Sequence, residues 1–247
     1  MSSNPSQGSP ATSRAFKTLA LRGPNLWSRL TLIECWLELT PPTPPAAGWE
    51  SRLTDWLPEV AGHAPAGSLS DSTRPLAEWL VQIALALQKR AGLPVEFGLV
   101  NAAPEPGAWR VIFQYDEEAA GRAALATARD TLHAALTGAD FDFAEECEKL
   151  ISLANDVCLG PSTRAMVTAA VARGIPFQRL TEGSLVQLGY GSRQQRILAA
   201  ATSQTGTIAE DIVQDKDLTR RLLKEVGLPA PGGRPVDSAA DAWAAAQ

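Results

Sequence analysis

Arg22 and Arg29 lie on either side of a Gly-Pro-Asn turn that also carries Trp27. A guanidinium can grip a carboxylate through two parallel hydrogen bonds, so this pair suits carboxylate recognition. The plainer alternative is a surface arginine, or one paired with Glu34 or Glu38. Arg110 sits between Trp109 and Val111 on an expected strand. Alternation sends it to the face opposite its apolar neighbours, either to bind or to be solvated. Gly189-Tyr190-Gly191 followed by Arg193, Gln194, Gln195 and Arg196 is a turn rich in donors. It suits substrate positioning, or a tight turn opening an exposed basic helix. Ser203 and Thr205 offer hydroxyls to a substrate or simply shape their loop. The acid pairs Glu117-Glu118 and Glu145-Glu146 can attract cations, and equally can be solvated faces or favourable charges at helix starts.

Other chemistries lack the residues they need. Two histidines, His63 and His133, are too few for a multi-histidine metal site and too far apart to claim as a pair. Cys35, Cys147 and Cys158 form no CxxC motif and read as buried small apolar residues of a reducing compartment. The seven tryptophans read mainly as core or domain-interface anchors. No Gly-x-x-x-x-Gly-Lys-Ser/Thr loop occurs.

The elements around these residues come from a chain of 247 residues, 45% hydrophobic and 20% charged, enough for one large or two small domains. Whole-chain disorder is excluded. A net charge of −5 argues against a nucleic-acid partner. No apolar run of about 18 residues occurs, so no membrane partner is expected. The opening MSSNPSQGSPATSR lacks the apolar core of a signal peptide, and a soluble cytoplasmic protein follows as the expectation. Residues 1–13 are expected to be a disordered leader. Residues 1–150 carry net −6 and residues 151–247 net +1. With the Gly160-Pro161 break, this places a domain boundary near residue 160.

Strands are expected at 16–21, 32–39, 95–100 and 109–115, and helices at 49–57, 74–91, 116–136 and 142–153. Leu76, Leu80, Ile83 and Leu87 line one face of the second helix, Pro75 lies in its first turn and Gly92 stops it. The sum is an α+β domain with a mainly antiparallel sheet. Beyond residue 160, helices are expected at 162–173, 194–200, 217–226 and from Ser238 onward, with strands at 174–180 and 185–190.

A family resemblance rests on these same stretches. Leu21-Arg22-Gly23-Pro24-Asn25-Leu26-Trp27-Ser28-Arg29, Gly107 to Tyr115, Gly160-Pro161-Ser162-Thr163 with Gly174-Ile175-Pro176, and above all Ser184 to Gly191 with Gln194-Gln195-Arg196-Ile197, resemble cyanophycin synthetases in family order. Asp215-Lys216-Asp217-Leu218-Thr219 and Gly227-Leu228-Pro229 resemble the entry helix of ATP-grasp ligases. The resemblance implies an N-terminal polymer-binding domain at 14–160 and, at 161–247, the α/β leading lobe of an ATP-grasp module, incomplete in this chain. The family's product has an aspartate backbone with arginines on its side-chain carboxylates. Its modules use ATP and magnesium to phosphorylate a carboxylate, which an amine then attacks.

The resemblance implies that Arg22, Arg29 and Arg110 contact polymer and that Arg193, Gln194, Gln195, Arg196 and Ser203 position the chain end. It implies that Lys216 touches a nucleotide phosphate in the full-length enzyme, the alternative being an exposed first-turn lysine. It also implies a homo-oligomer. The main ATP and magnesium residues of the family are absent, so this chain alone is expected to hold neither tightly, to contain no catalytic residue and to be inactive. Some family members carry a His-x-x-Glu-His-like zinc site on the long helix. The matching positions here are Glu78, Val81 and Gln82, so neither a zinc site nor hydrolysis is expected. The alternatives are a stand-alone polymer-binding module, part of a ligase joining aspartate–arginine dipeptides, or a truncated product without function.

Overall fold

The computed structural model describes residues 12–63, 65–66, 69 and 72–246. The chain divides into two compact units between Cys158 and Leu159.

In the first unit, β1 (Ser13–Leu21), β2 (Leu32–Leu39), β3 (Gly98–Ala102) and β4 (Ala108–Gln114) form an antiparallel sheet in the order β1-β2-β4-β3. Helices α1 (Trp49–Trp56), α2 (Arg74–Arg90), α3 (Glu118–Thr137) and α4 (Phe143–Val157) complete the unit. Strand β2 reads Leu-Ile-Glu-Cys-Trp-Leu-Glu-Leu. Its alternation sends Ile33, Cys35, Leu37 and Leu39 into the core beside Val111 and Phe113 of β4 and Val100 of β3. Burial of each such side chain stabilises the fold by about 1.5–3 kcal/mol.

Helix α2 is buried on more than the predicted face. Trp79, Val81, Leu85 and Ala86 join Leu76, Leu80, Ile83 and Leu87. Such a helix lies inside its unit, between neighbours, and not on the surface. Gly98 lets it approach β3, since a Cβ there would stand 2.2 Å from Val81 Cγ1. Helix α4 starts at Asp142, whose side chain accepts a hydrogen bond from the Glu145 N–H at 2.9 Å.

In the second unit, α5 (Pro161–Ala172) precedes β5 (Phe177–Arg179), β6 (Leu185–Leu188), β7 (Gln195–Leu198) and β8 (Ala201–Thr202), an antiparallel meander. Val167, Val186 and Ile197 form its small core. Three helices follow: α6 (Thr207–Gln214), α7 (Lys216–Glu225) and α8 (Ala239–Ala246).

Several expectations are corrected. The leader does not extend through residue 13: Thr12 and Ser13 are buried, and Ser13 opens β1. Arg129 holds the Ser13 hydroxyl and carbonyl, at 3.0 and 2.9 Å, and Thr12 Oγ1 lies 3.1 Å from His133 Nδ1. Residues 1–11 lie outside the described residues. The expected helix at 194–200 is instead β7 with β8, because Ile197 pairs with Val186 and is buried there. The second unit is therefore α+β, its described strand pairs all antiparallel, and not α/β. Helix α6 was not anticipated. Among the described residues no helix is long and apolar enough to cross a membrane.

Candidate functional site

The outer face of the first sheet, away from α2 and α3, carries Lys17 and Leu19 of β1, Leu32, Glu34 and Trp36 of β2, Arg110 and Ile112 of β4, and Asn101 of β3. It is not bare. Leu32 and Ile112 are fully buried, and Trp27 from the loop after β1 lies over the guanidinium of Arg110, 5.1 Å from ring centroid to Cζ.

That loop is organised around Asn25. Its Nδ2 donates to the carbonyls of Gly23 and Leu30 at 2.8 and 2.9 Å, and its Oδ1 accepts from the backbone of Trp27 and Ser28 at 2.9 and 3.0 Å. This is an Asx-type turn extended to close the loop's base. It sets Trp27 over the sheet and leaves Arg29 exposed, without an ion pair among the described residues.

Arg22 pairs with neither Glu34 nor Glu38. It donates to Glu118 at the start of α3, which also accepts from Arg122 at 2.9 Å. Hydrogen bonds from Arg22 and then Arg122 hold the Glu118 carboxyl below its ordinary pKa. Burial, reinforced by the negative charge of Glu118, pushes the nearby Tyr115 hydroxyl up. Arg110 does face away from the core, as alternation predicts, yet it is not simply solvated. Its side chain is 26% exposed, its Nη1 lies 4.0 Å from Glu34 Oε1, and its Nε donates to the Ala102 carbonyl at 3.3 Å. Lys17 sits over the Trp36 ring at 4.4 Å. The face thus joins cations, two indole rings and the Glu34 carboxylate, a set able to bind a ligand carrying both charge signs.

The second unit places its site residues along β7 and its neighbours. Gly191–Arg193 forms a short 3-10 turn, and Arg193, Gln194, Gln195 and Arg196 are all exposed. Cross-strand register sets Gln178, Gln187 and Arg196 in one row on the face opposite buried Val186 and Ile197. Ser203 donates its N–H to the Arg196 carbonyl at 2.9 Å, and its hydroxyl to Gln195 Oε1 at 3.2 Å. Thr205 takes the structural role, its Oγ1 accepting from the Thr202 N–H at 3.0 Å.

Lys216 opens α7 and is exposed. It lines a cavity of about 310 Å³ with Thr219, Arg220 and Leu223 of α7, Val213 of α6, and Ala230 and Pro231. Arg220 is committed to Asp217. The carboxylate of Asp215 takes the N–H groups of Asp217 and Leu218, at 3.0 and 2.9 Å, so the helix N-terminus already has its anion. The cavity thus offers the exposed Lys216 ammonium beside a helix N-terminus whose first N–H groups are held by Asp215. Among the described residues no three His, Cys, Asp or Glu side chains are grouped to hold a metal ion. On α2, Glu78 pairs with Arg74 at 2.8 Å and Val81 is buried.

Sequence patterns did not single out Trp36; they named Glu34 as a partner for Arg22 or Arg29, Glu118 as one of an acid pair, and Asn25 as part of its turn, without the contacts they make. Asn25 had a local signal in the Gly-Pro-Asn run and Glu118 in its acid pair; Glu34 and Trp36 meet their partners across strands or through tertiary contacts.

The chain matches the family described as the cyanophycin synthase-like N-terminal domain over residues 37–137. It is 34% identical over 250 residues to the cyanophycin synthetase of Geminocystis herdmanii (strain PCC 6308), covering 94% of this chain and 29% of that protein. The cyanophycin synthetases of Crocosphaera subtropica and Synechocystis sp. are each 34% identical to it, covering 89% of this chain and 27% of theirs. The chain spans less than a third of the length of these relatives.

Proposed function

From a chain that carries a cyanophycin synthase-like N-terminal domain and resembles cyanophycin synthetases over nine tenths of its length, we propose the polymer-engaging part of an ATP-dependent ligase that extends an aspartate–arginine polymer. The observation that carries this is the outer face of the first sheet, where Arg110 lies on Trp27, whose loop also carries the exposed Arg29. Each dipeptide of such a polymer ends in a guanidinium and a carboxylate. The face and the loop over it offer both complements: Arg110 and the loop's Arg29 for carboxylates, and indole rings with Glu34 for cations.

In this reading Arg22 fixes the loop through Glu118 and supports binding indirectly. Arg193, Gln194, Gln195, Arg196 and Ser203 hold a chain end in the second unit, which serves as the leading lobe of an ATP-grasp module. When ATP and magnesium are bound in an enzyme of the relatives' length, they supply phosphoryl transfer to the chain-end carboxylate. Lys216 contributes one point charge toward a phosphate there. The symmetric oligomers of the family extend to this protein as part of the same proposal.

The experiment is co-sedimentation of the purified chain with insoluble cyanophycin over a range of salt. Saturable binding that weakens with salt is expected, since the contacts are charged and partly exposed. A chain left wholly in the supernatant at low salt contradicts the proposal.

A further inference from the structure

Glu34 sits mid-strand in β2, with Leu19 and Ile112 as its cross-strand neighbours, and its side chain is only 7% exposed. Neither Glu34 oxygen is among the enclosed polar atoms left without a hydrogen-bond partner, so the stem is buried while the carboxylate edge stays open to solvent. Among the described residues Glu34 collects one contact, Arg110 Nη1 at 4.0 Å, which is beyond hydrogen-bond reach. Arg110 meanwhile spends its Nε on Ala102 and lays its guanidinium against Trp27. A structural ion pair in this setting would close to a two-point contact at ordinary distance. This one stays open, on the same face where Trp36 carries Lys17.

We propose that Glu34 and Trp27 form an acceptor for a ligand's guanidinium, and that Arg110 holds this position while no ligand is present. On binding, the incoming guanidinium takes the two-point contact with the Glu34 carboxylate and stacks on Trp27. Arg110 swings outward and is free to meet a carboxylate of the same ligand. The exchange is non-covalent and keeps the Glu34 carboxylate beside a guanidinium throughout. The arginine side chains of the polymer as the source of the guanidinium rest on the function proposed above; the acceptor itself does not.

The test titrates the wild-type chain, Glu34→Gln and Arg110→Ala with L-arginine ethyl ester, with L-lysine ethyl ester and with cyanophycin. Tryptophan fluorescence and the shift in melting temperature report binding. The expected result is a preference for the arginine ester of about tenfold, because only a planar fork matches the carboxylate. Glu34→Gln should lose binding of arginine ester and polymer by about tenfold or more, a charge-assisted pair being worth at least that factor. Arg110→Ala uncovers Glu34 and should bind the ester more tightly. Equal binding of the ester by Glu34→Gln and wild type overturns the proposal. Should Glu34→Gln fail to fold, unchanged or weaker ester binding by Arg110→Ala overturns it. Polymer binding that survives in Glu34→Gln removes this acceptor and leaves the polymer function standing. Ester binding that depends on Glu34, with no polymer binding by wild type, does the reverse.

Discussion

Arg22 donates from Nε and Nη2 to a single carboxylate oxygen of Glu118, at 3.0 and 2.7 Å, across 96 residues of sequence. The contact ties the loop that carries Trp27 to the first turn of α3. An acid at that end of a helix is also favoured by the helix dipole. Arg22 is 77% exposed, so the pair positions the loop more than it stabilises the fold.

The pair makes stability depend on pH in a defined direction. Glu118 titrates below its ordinary value of 4.5 in the folded state, through Arg22 first and Arg122 second. Its contribution is fully present above that ordinary value and is lost as pH falls through the lower, folded one. Glu118→Gln should therefore melt below wild type at pH 7, and the gap should close on acidification toward pH 3. Melting curves followed by circular dichroism decide it; a gap that stays constant with pH contradicts the assignment.

Gly121 of α3 packs closely against β2 and the residue that follows β4. An added Cβ would stand 2.6 Å from Tyr115 Cβ and 3.3 Å from Ile33 Cγ1. Alanine gains about 1 kcal/mol of helix propensity over glycine, while overpacking costs about 1–3 kcal/mol. Gly121→Ala should be destabilised overall, with a lower urea midpoint and an unchanged slope. A midpoint at or above wild type means the backbone yields at this contact.

Gln88 lies fully buried in α2. Its Nε2 donates to the carbonyls of Ala84 and Gln114, at 3.3 and 3.0 Å, and its Oε1 has no partner among the described residues. Removing an unsatisfied acceptor offsets part of the loss of the two bonds that Nε2 donates. Gln88→Met should stay within about 1 kcal/mol of wild type, whereas Gln88→Ala should lose about 2–5 kcal/mol, as other large-to-small core changes do. Urea unfolding of the pair separates them; a methionine variant as weak as the alanine one shows that the amide bonds dominate.

What could be read in advance follows from the range of the interactions. Strand β2 was legible because its alternation is local and its end is set by Thr40-Pro41-Pro42. Helix α2 was legible for the same reason, from Pro75 in its first turn to Gly92 beyond its end. Strand β7 was not. Gln-Arg-Ile-Leu-Ala-Ala favours helix locally, and only the pairing of Ile197 with Val186 overrides that preference. At the site, Arg110 was placed on the correct face by alternation, but Trp27 above it and Glu34 beside it are tertiary contacts that no local pattern encodes. Arg22 was singled out, while its partner Glu118 lay too far along the chain to be chosen over Glu34 or Glu38.

The central claim is that the outer face of the first sheet holds an aspartate–arginine polymer. Its most direct test compares wild type with Arg29→Ala/Arg110→Ala in co-sedimentation with cyanophycin at low salt, with melting temperature as the folding control. The double variant should remain folded and lose about tenfold or more in affinity, as expected when charge-assisted contacts to carboxylates are removed. A folded double variant that sediments with the polymer as wild type does would contradict the claim and move the binding surface elsewhere on the chain.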